Sequence, residues 1–223
     1  MTGMLASVKN LSETQRVLNA NVDIIDLKQP EFGALGALSI NDVAEIVENI
    51  NRRCVVSATV GDLPMDADII FNAVSDMAKT GVDFVKIGFF PDGDWFEIVQ
   101  KLADLTQNTK LIAVLFADTQ PDFAIISELK KAGFAGVMLD TMHKQNGSLT
   151  QVMTNETIAE FVELSKNQQL ICGLAGSLRL ENIAALLLFG ADYLGFRGAL
   201  CAENNRTEQL DVNALQMIRS AVR

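Results

Sequence analysis

Eight short apolar runs alternate with eight longer amphipathic stretches along 223 residues, and no Pro/Gly/Ser-rich linker or low-complexity stretch divides them. Strands that alternate with crossover helices must run parallel. Glycines also recur just after helical patterns and shortly before the next apolar run, as Gly81, Gly133 and Gly190 do. These observations predict an α/β protein: a closed (β/α)8 TIM barrel, folded as a single domain over residues 1–223 and near the short end of that architecture's size range. An open doubly wound sheet is the alternative, disfavoured because no Gly-x-Gly-x-x-Gly follows the first run.

The expected strands are 4–8, 23–27, 54–60, 84–88, 111–116, 136–140, 170–173 and 192–196. Each is a short, nearly continuous apolar run, as strands buried on both faces are. The intervening stretches 12–20, 40–51, 67–81, 94–106, 121–133, 155–167, 180–190 and 212–222 carry helical periodicity. Ser12 and Asn155 read as N-caps, and Ser12 with Gln15 resembles a capping box. The three glycines stand where a left-handed C-terminal cap is wanted.

Hydrophobic residues make up 49% of the chain, which excludes disorder. No apolar run is long enough for a spanning helix, and no basic segment leads into a secretory core, so neither a membrane nor a signal peptide is expected. A net charge of -10 argues against a nucleic-acid partner. It leaves room for a locally positive site that takes a small phosphorylated molecule. Cys54, Cys172 and Cys201 fit reduced thiols in a cytoplasmic protein. His143 is the only histidine, which excludes a multi-histidine metal site and argues against a Ser-His-Asp triad. Exposed apolar residues on barrel helices would permit a homo-oligomer.

In such a barrel every residue just past a strand faces one mouth. Lys28 closes Asp26-Leu27-Lys28, Lys86 closes Phe84-Val85-Lys86, and Lys144 follows Asp140 by a short loop. A lysine in a buried strand is costly because desolvation disfavours its charged form, so three of them point to amine chemistry on an anionic carbonyl substrate. Asp26 and Lys28 fall on the same side of their strand. A structural ion pair would explain those two alone, and a snorkelling side chain would explain Lys86. The apolar neighbours of Lys86 make it the nucleophile on local sequence grounds.

Gly173-Leu174-Ala175-Gly176-Ser177-Leu178 and Gly195-Phe196-Arg197-Gly198-Ala199 end the seventh and eighth strands, where barrels build phosphate cradles from backbone N–H groups. Gly176, Ser177, Gly198 and the Arg197 guanidinium are the expected phosphate ligands. Ser57, Thr59, Asp62 and Asp118 would position substrate or water, or cap loops. Asp26, Asp62, Asp118 and Asp140 are compatible with a magnesium site. The adjacent lysines speak against one, and neither a metal nor a cofactor is expected.

These pieces, in this order along nearly the whole chain, resemble the (5-formylfuran-3-yl)methyl phosphate synthase family of methanofuran biosynthesis, also called 4-(hydroxymethyl)-2-furancarboxaldehyde-phosphate synthase. The resemblance rests on Asp26-Leu27-Lys28-Gln29-Pro30, Gly33-Ala34-Leu35-Gly36, Ser57-Ala58-Thr59-Val60-Gly61-Asp62 and Val85-Lys86-Ile87-Gly88. It continues through Asp140-Thr141 with Lys144 and the two glycine-rich endings. It implies a TIM-barrel lyase, similar to class I aldolases, that condenses two glyceraldehyde 3-phosphate molecules with loss of phosphate and water. It also implies that Lys28 forms the Schiff base and Lys86 transfers protons, with Asp26, Asp140 and Lys144 taking part. The resemblance thus reverses the local reading of Lys86. A class I aldolase acting on another phosphorylated aldehyde, and a noncatalytic sugar-phosphate-binding barrel, are the competing readings.

Overall fold

The protein, in a computed structural model, is described over residues 2–91 and 93–223. Its parallel strands are β1 (Gly3–Val8), β2 (Ile24–Leu27), β3 (Val55–Thr59), β4 (Phe84–Phe89), β5 (Leu111–Phe116), β6 (Gly136–Asp140), β7 (Ile171–Leu174) and β8 (Tyr193–Phe196). They follow one another around a closed barrel, and β8 returns to β1 with Gly3 opposite Tyr193 and Ala6 opposite Phe196. The predicted TIM barrel is therefore the observed fold, with each strand within a residue or two of its expected place.

The α-helices are α1 (Leu11–Asn19), α2 (Ile40–Ile50), α3 (Ala67–Ala78), α4 (Trp95–Leu102), α5 (Ile125–Lys131), α6 (Leu149–Val152), α7 (Asn155–Asn167), α8 (Leu180–Leu187) and α9 (Val212–Val222). Their starts need side-chain acceptors, because the first N–H groups of a helix have no partner within it. Asp66 accepts from Asp68 and Ile69, and Asp211 accepts from Ala214. Two expected caps move. Asn10, held in an extended backbone conformation, caps α1 through the Glu13 N–H, and Ser12 lies inside the helix. Thr154 caps α7, which places Asn155 in its first turn.

Four helices are shorter than the periodicity predicts; α3 and α8 each stop three residues early, at Ala78 and Leu187. The 94–106 stretch divides into α4 and a 3-10 turn (Ala103–Leu105). The 121–133 stretch becomes helical only at Ile125, since Asp122 first closes a turn on the Ala124 N–H. Gly81, Gly133 and Gly190 take φ of +84°, +85° and +68°, the left-handed geometry expected of them. A Cβ there would be penalised.

Two apolar layers hold the structure. One fills the barrel interior with Leu5, Ile24, Ile112, Val114, Phe116 and Met138. The other lies between strands and helices, where Ile25, Ile46, Val74, Leu129 and Phe161 are fully or almost fully buried. The wholly buried β5, Leu-Ile-Ala-Val-Leu-Phe, serves both layers by alternation. Apolar filling thus closes the barrel below its C-terminal mouth. No helix among the described residues is long and apolar enough to cross a membrane.

Candidate functional site

Polar residues replace the apolar filling at the C-terminal end of the barrel. The register sets Ser7 of β1 beside Asp26 of β2, and Asp26 beside Ser57 of β3. Asp26 is fully buried. Its Oδ2 accepts from Ser7 Oγ at 2.8 Å, and its Oδ1 accepts from Ser57 Oγ at 2.7 Å and Lys86 Nζ at 3.0 Å. Burial alone would raise this carboxyl, yet the Lys86 and Lys28 charges and the Ser57 hydroxyl hold it below its usual range. It stays ionised and fixes the Lys86 amine. Ser7 was invisible as a site residue, although it is the one polar side chain in β1 and sits at the mouth end.

Lys28 directly follows β2 and is 5% exposed. Its Nζ makes no hydrogen bond among the described residues and faces a cavity of about 300 Å³. Burial, with help from the like charges of Lys144 and Lys86, lowers its pKa to about 7 against the pull of Asp140 and Asp26. An appreciable fraction is therefore the free amine near neutral pH, the nucleophilic form. The expectation that Lys86 is the freer amine is not what the geometry shows, because Lys86 is ion-paired and Lys28 is not. The neighbours of Lys86 in sequence are apolar, but its neighbour across the barrel is a carboxylate.

A second lysine–carboxylate pair stands across the mouth. Asp140 ends β6, and its Oδ1 accepts from Lys144 Nζ at 2.6 Å and from the Thr141 N–H at 2.7 Å. Burial would raise the Asp140 carboxyl, but the Lys144 and Lys28 charges outweigh it and hold the pKa at about 2. A 3-10 turn (Lys144–Asn146) folds Lys144 back over its aspartate, so this loop lysine is turned inward. Lys28 thus lies between two pairs, Lys86–Asp26 and Lys144–Asp140.

The loops after β7 and β8 line the same cavity through Gly176, Ser177, Arg197 and Gly198. Among the described residues, the N–H groups of Gly176, Ser177, Gly198 and Ala199 donate to no protein acceptor. Gly176 has φ +110° and packs so closely that a Cβ would lie 2.8 Å from Thr141 Cγ2. Ser177 follows in the left-handed region at +47°, a local strain of about 1 kcal/mol or more of the kind found at ligand-binding turns.

Arg197, by contrast, does not present an open fork. Its Nη1 donates to Glu13 Oε2 at 2.6 Å and to the Ser7 carbonyl, and its Nη2 donates to Glu13 Oε1 and the Glu208 carbonyl. Its Nε takes the Arg206 carbonyl at 2.7 Å. Every N–H of this buried guanidinium is engaged inside the protein. Two arginines not foreseen as site residues line the cavity beside it. Arg179 has its Nη1 buried without a hydrogen-bond partner, and a Cβ on Gly198 would meet that atom at 2.8 Å. Arg206 reaches over the mouth from the loop between β8 and α9.

The remaining expected ligands hold the loops. Thr59 Oγ1 donates to the Gly36 carbonyl at 3.1 Å, and Asp62 accepts from the Ala34 and Leu35 N–H groups at 2.7 Å each. Both fasten the loop that leaves Lys28. Asp118 likewise accepts from Met142 and His143, shaping the loop that carries Lys144. The four aspartates are thus divided among separate tasks. Among the described residues no cluster of three or more His, Cys, Asp or Glu could hold a metal.

Fold and site together define a TIM-barrel enzyme with an amine-lined mouth. The chain belongs to the 4-HFC-P synthase family, which matches residues 4–219. A Methylorubrum extorquens relative, whose name carries the (5-formylfuran-3-yl)methyl phosphate synthase activity only provisionally, is 39% identical over 93% of this chain and 86% of its own. The (5-formylfuran-3-yl)methyl phosphate synthase of Methanococcus aeolicus is 33% identical over 92% of each chain. That of Methanocaldococcus jannaschii is 32% identical over 91% of this chain and 92% of its own. Among solved structures, 3-hexulose-6-phosphate synthase from Salmonella typhimurium superposes with a TM-score of 0.70 at 14% identity, covering 99% of this chain and 98% of that one. At that identity the likeness speaks for the barrel alone.

Proposed function

We propose that this protein is a Schiff-base-forming lyase that condenses two molecules of glyceraldehyde 3-phosphate into 4-(hydroxymethyl)-2-furancarboxaldehyde phosphate, releasing phosphate and water, for synthesis of a methanofuran-type cofactor. One observation carries the reading: Lys28 is an unpaired amine with a pKa lowered to about 7, facing a cavity between two lysine–aspartate pairs. The names of the family and its relatives support the product.

In this reading the Lys28 amine attacks the aldehyde of the first triose and loses water to form an imine. Once protonated, the imine withdraws electrons, and a neighbouring C–H proton can leave to give an enamine. The resulting carbon nucleophile adds to the aldehyde of the second triose. Loss of phosphate, ring closure in which the ring oxygen adds to the imine carbon and the Lys28 amine departs, and dehydration then yield the furan. Lys86, held by Asp26, moves protons at the first triose, while Lys144 and Asp140 orient and protonate hydroxyl groups from the other side. The N–H groups of Gly176, Ser177 and Gly198, with the Arg179 guanidinium, take one phosphate. Ser57, Thr59, Asp62 and Arg197 act as positioning residues.

Incubation with glyceraldehyde 3-phosphate and borohydride, followed by peptide mass spectrometry, tests the reading. The expected result is a reduced adduct on Lys28, with phosphate release and a furan chromophore when borohydride is omitted. An adduct on Lys86 would exchange the two roles. Binding without any adduct would remove imine chemistry. Reversible aldol cleavage without phosphate release would make the protein a simple aldolase.

A further inference from the structure

The proposed condensation calls for two phosphate groups in one mouth, and that reading gives one of them to the glycine-rich endings of β7 and β8. The cavity is lined by Lys28, Lys86, Lys144, Arg179, Arg197 and Arg206. Three of these charges are matched inside the protein, Lys86 by Asp26, Lys144 by Asp140 and Arg197 by Glu13. Lys28 is the amine with the lowered pKa. Arg179 and Arg206 remain, two guanidinium groups with no carboxylate within salt-bridge distance among the described residues. Arg179 belongs to the glycine-rich cradle. Arg206 is on a different segment, two residues past Asn204, whose carbonyl Arg179 Nη2 reaches at 3.4 Å.

That segment is a strap built to hold its tip over the mouth. After β8 the chain folds back on itself, with Cys201 bridged antiparallel to Leu210 and the Ala202 N–H bonded to the Gln209 carbonyl. Arg197 grips the carbonyls of Arg206 and Glu208 from below. Lys9 holds the neighbouring Thr207 carbonyl. Arg206 then extends across to the loop after β2, where Nη2 donates to the Gly33 carbonyl at 2.9 Å. Its Nε and Nη1 have no protein acceptor among the described residues. A buried ion pair, a lysine and a backbone bridge thus converge on the position of one half-buried arginine. Fastening a surface loop so heavily makes sense if its tip must present a fixed group.

Resting on the triose-condensation reading, we propose that Arg206 recognises the phosphate of the second triose, on the side of the mouth next to the loop after β2. Gly33 takes one Nη2 hydrogen and fixes the plane of the fork, while the second Nη2 hydrogen, paired with the neighbouring Nε or Nη1 hydrogen, leaves one edge to match two phosphate oxygens. Asn204 and Asn205 flank it on the cavity wall. The two phosphates would then be held by different segments around the one cavity that Lys28 lines.

Glycerol 3-phosphate tests this separately from imine chemistry, because it carries the phosphate and lacks the carbonyl. Calorimetric titration of the whole protein should show two binding events, and Arg206→Ala should remove one while leaving the other. The variant should still form the borohydride adduct on Lys28 with a single triose. Its kcat/KM for furan formation should fall about 100-fold, the loss of a paired, charge-assisted contact. Arg206→Lys keeps the charge and can still donate to Gly33, so it should recover only part of the loss; full recovery would reduce Arg206 to a fastener of the strap. Two binding events in Arg206→Ala, or unchanged kcat/KM, would overturn the proposal. If the two-site binding depends on Arg206 but wild type forms no adduct, the anion site stands and the condensation reading fails.

Discussion

The guanidinium of Arg197 grips the carboxylate of Glu13 at 2.6 Å, and both side chains are shut away from solvent. Glu13 lies in the first turn of α1, while Arg197 leaves β8, so the pair ties the start of the barrel to its end. Removing one partner of such a pair leaves a buried charge with nothing to meet it. Glu13→Ala is therefore expected to cost about 3–5 kcal/mol, and Glu13→Gln, which can still accept one bond, noticeably less. Urea unfolding gives the difference. Because Arg197 also holds the 206 and 208 carbonyls, both variants should be cleaved faster by protease within 202–209. Unchanged stability in Glu13→Ala would mean that the pair contributes no more than an exposed one.

Lys28 should give a borohydride adduct at a rate that climbs with pH through about 7 and then levels off, since the free amine is the attacking form. Its neighbours set where that rise falls. Asp140 is the strongest charge favouring the protonated amine, so Asp140→Asn should move the rise to lower pH. Lys144 repels the protonated amine and also neutralises Asp140, so Lys144→Met should move it to higher pH. Adduct formation is the readout, because turnover would confound this effect with proton transfer by the same residues. Shifts in the same direction for both variants would contradict the charge arrangement around Lys28.

Gly198 and Gly176 separate phosphate binding from folding. A methyl group at Gly198 would meet the Arg179 Nη1, the far end of a flexible side chain, at 2.8 Å and the Asn204 carbonyl oxygen at 3.0 Å. Gly198→Ala should therefore lose less stability than Gly176→Ala, since its φ is ordinary and Asn204 needs to give by only a few tenths of an ångström. It should still push the guanidinium aside and weaken glycerol 3-phosphate binding at the glycine-rich rim by about tenfold. At Gly176 the Thr141 N and the Asp140 carbonyl carbon both crowd the position, and φ is +110°, which a side chain rarely adopts. Gly176→Ala should lower the melting temperature as well, by a loss of about 1–3 kcal/mol. Thermal melts and calorimetry on both variants check the contrast.

The barrel was legible because its signals are local and repeated. Apolar runs such as 111–116, and glycines such as Gly133, each report their own structure without reference to distant partners. The site was legible in part for the same reason, since strand ends such as Lys28, Lys86 and Asp140 inherit their position from the fold. What stayed hidden depends on neighbours far apart in sequence. Lys86 looks apolar until β2 brings Asp26 beside it, and Arg197 looks free until α1 brings Glu13. Arg206 sits in the polar run Asn204-Asn205-Arg206-Thr207-Glu208, which has no periodicity to mark it. The topology still held a clue, because every loop after a strand opens onto the mouth, and this one is long enough to cross it.

Lys28 also makes the stability of the fold depend on pH in a way that separates it from other groups. Its folded pKa of about 7 lies below its ordinary value of 10.5. Below about pH 7 the folded and unfolded forms both carry the charge, and the fold bears the whole cost of burying it. Between there and 10.5 the unfolded chain binds more protons than the folded one, so this residue's contribution to stability improves as pH rises. Lys28→Met keeps the bulk and removes the titration. The variant should be more stable than the parent at low and neutral pH, by an amount on the order of a few kcal/mol. That advantage should shrink steadily toward 10.5. Burial raises Cys172 and Cys201 to about 12 and about 11, and these thiols cancel in the comparison because both proteins carry them. Urea midpoints for the two proteins at about pH 6, 8 and 9.5 measure the gap directly. A gap that stays constant across that range would show that Lys28 titrates near its ordinary value, and the amine would then need substrate binding to release its proton.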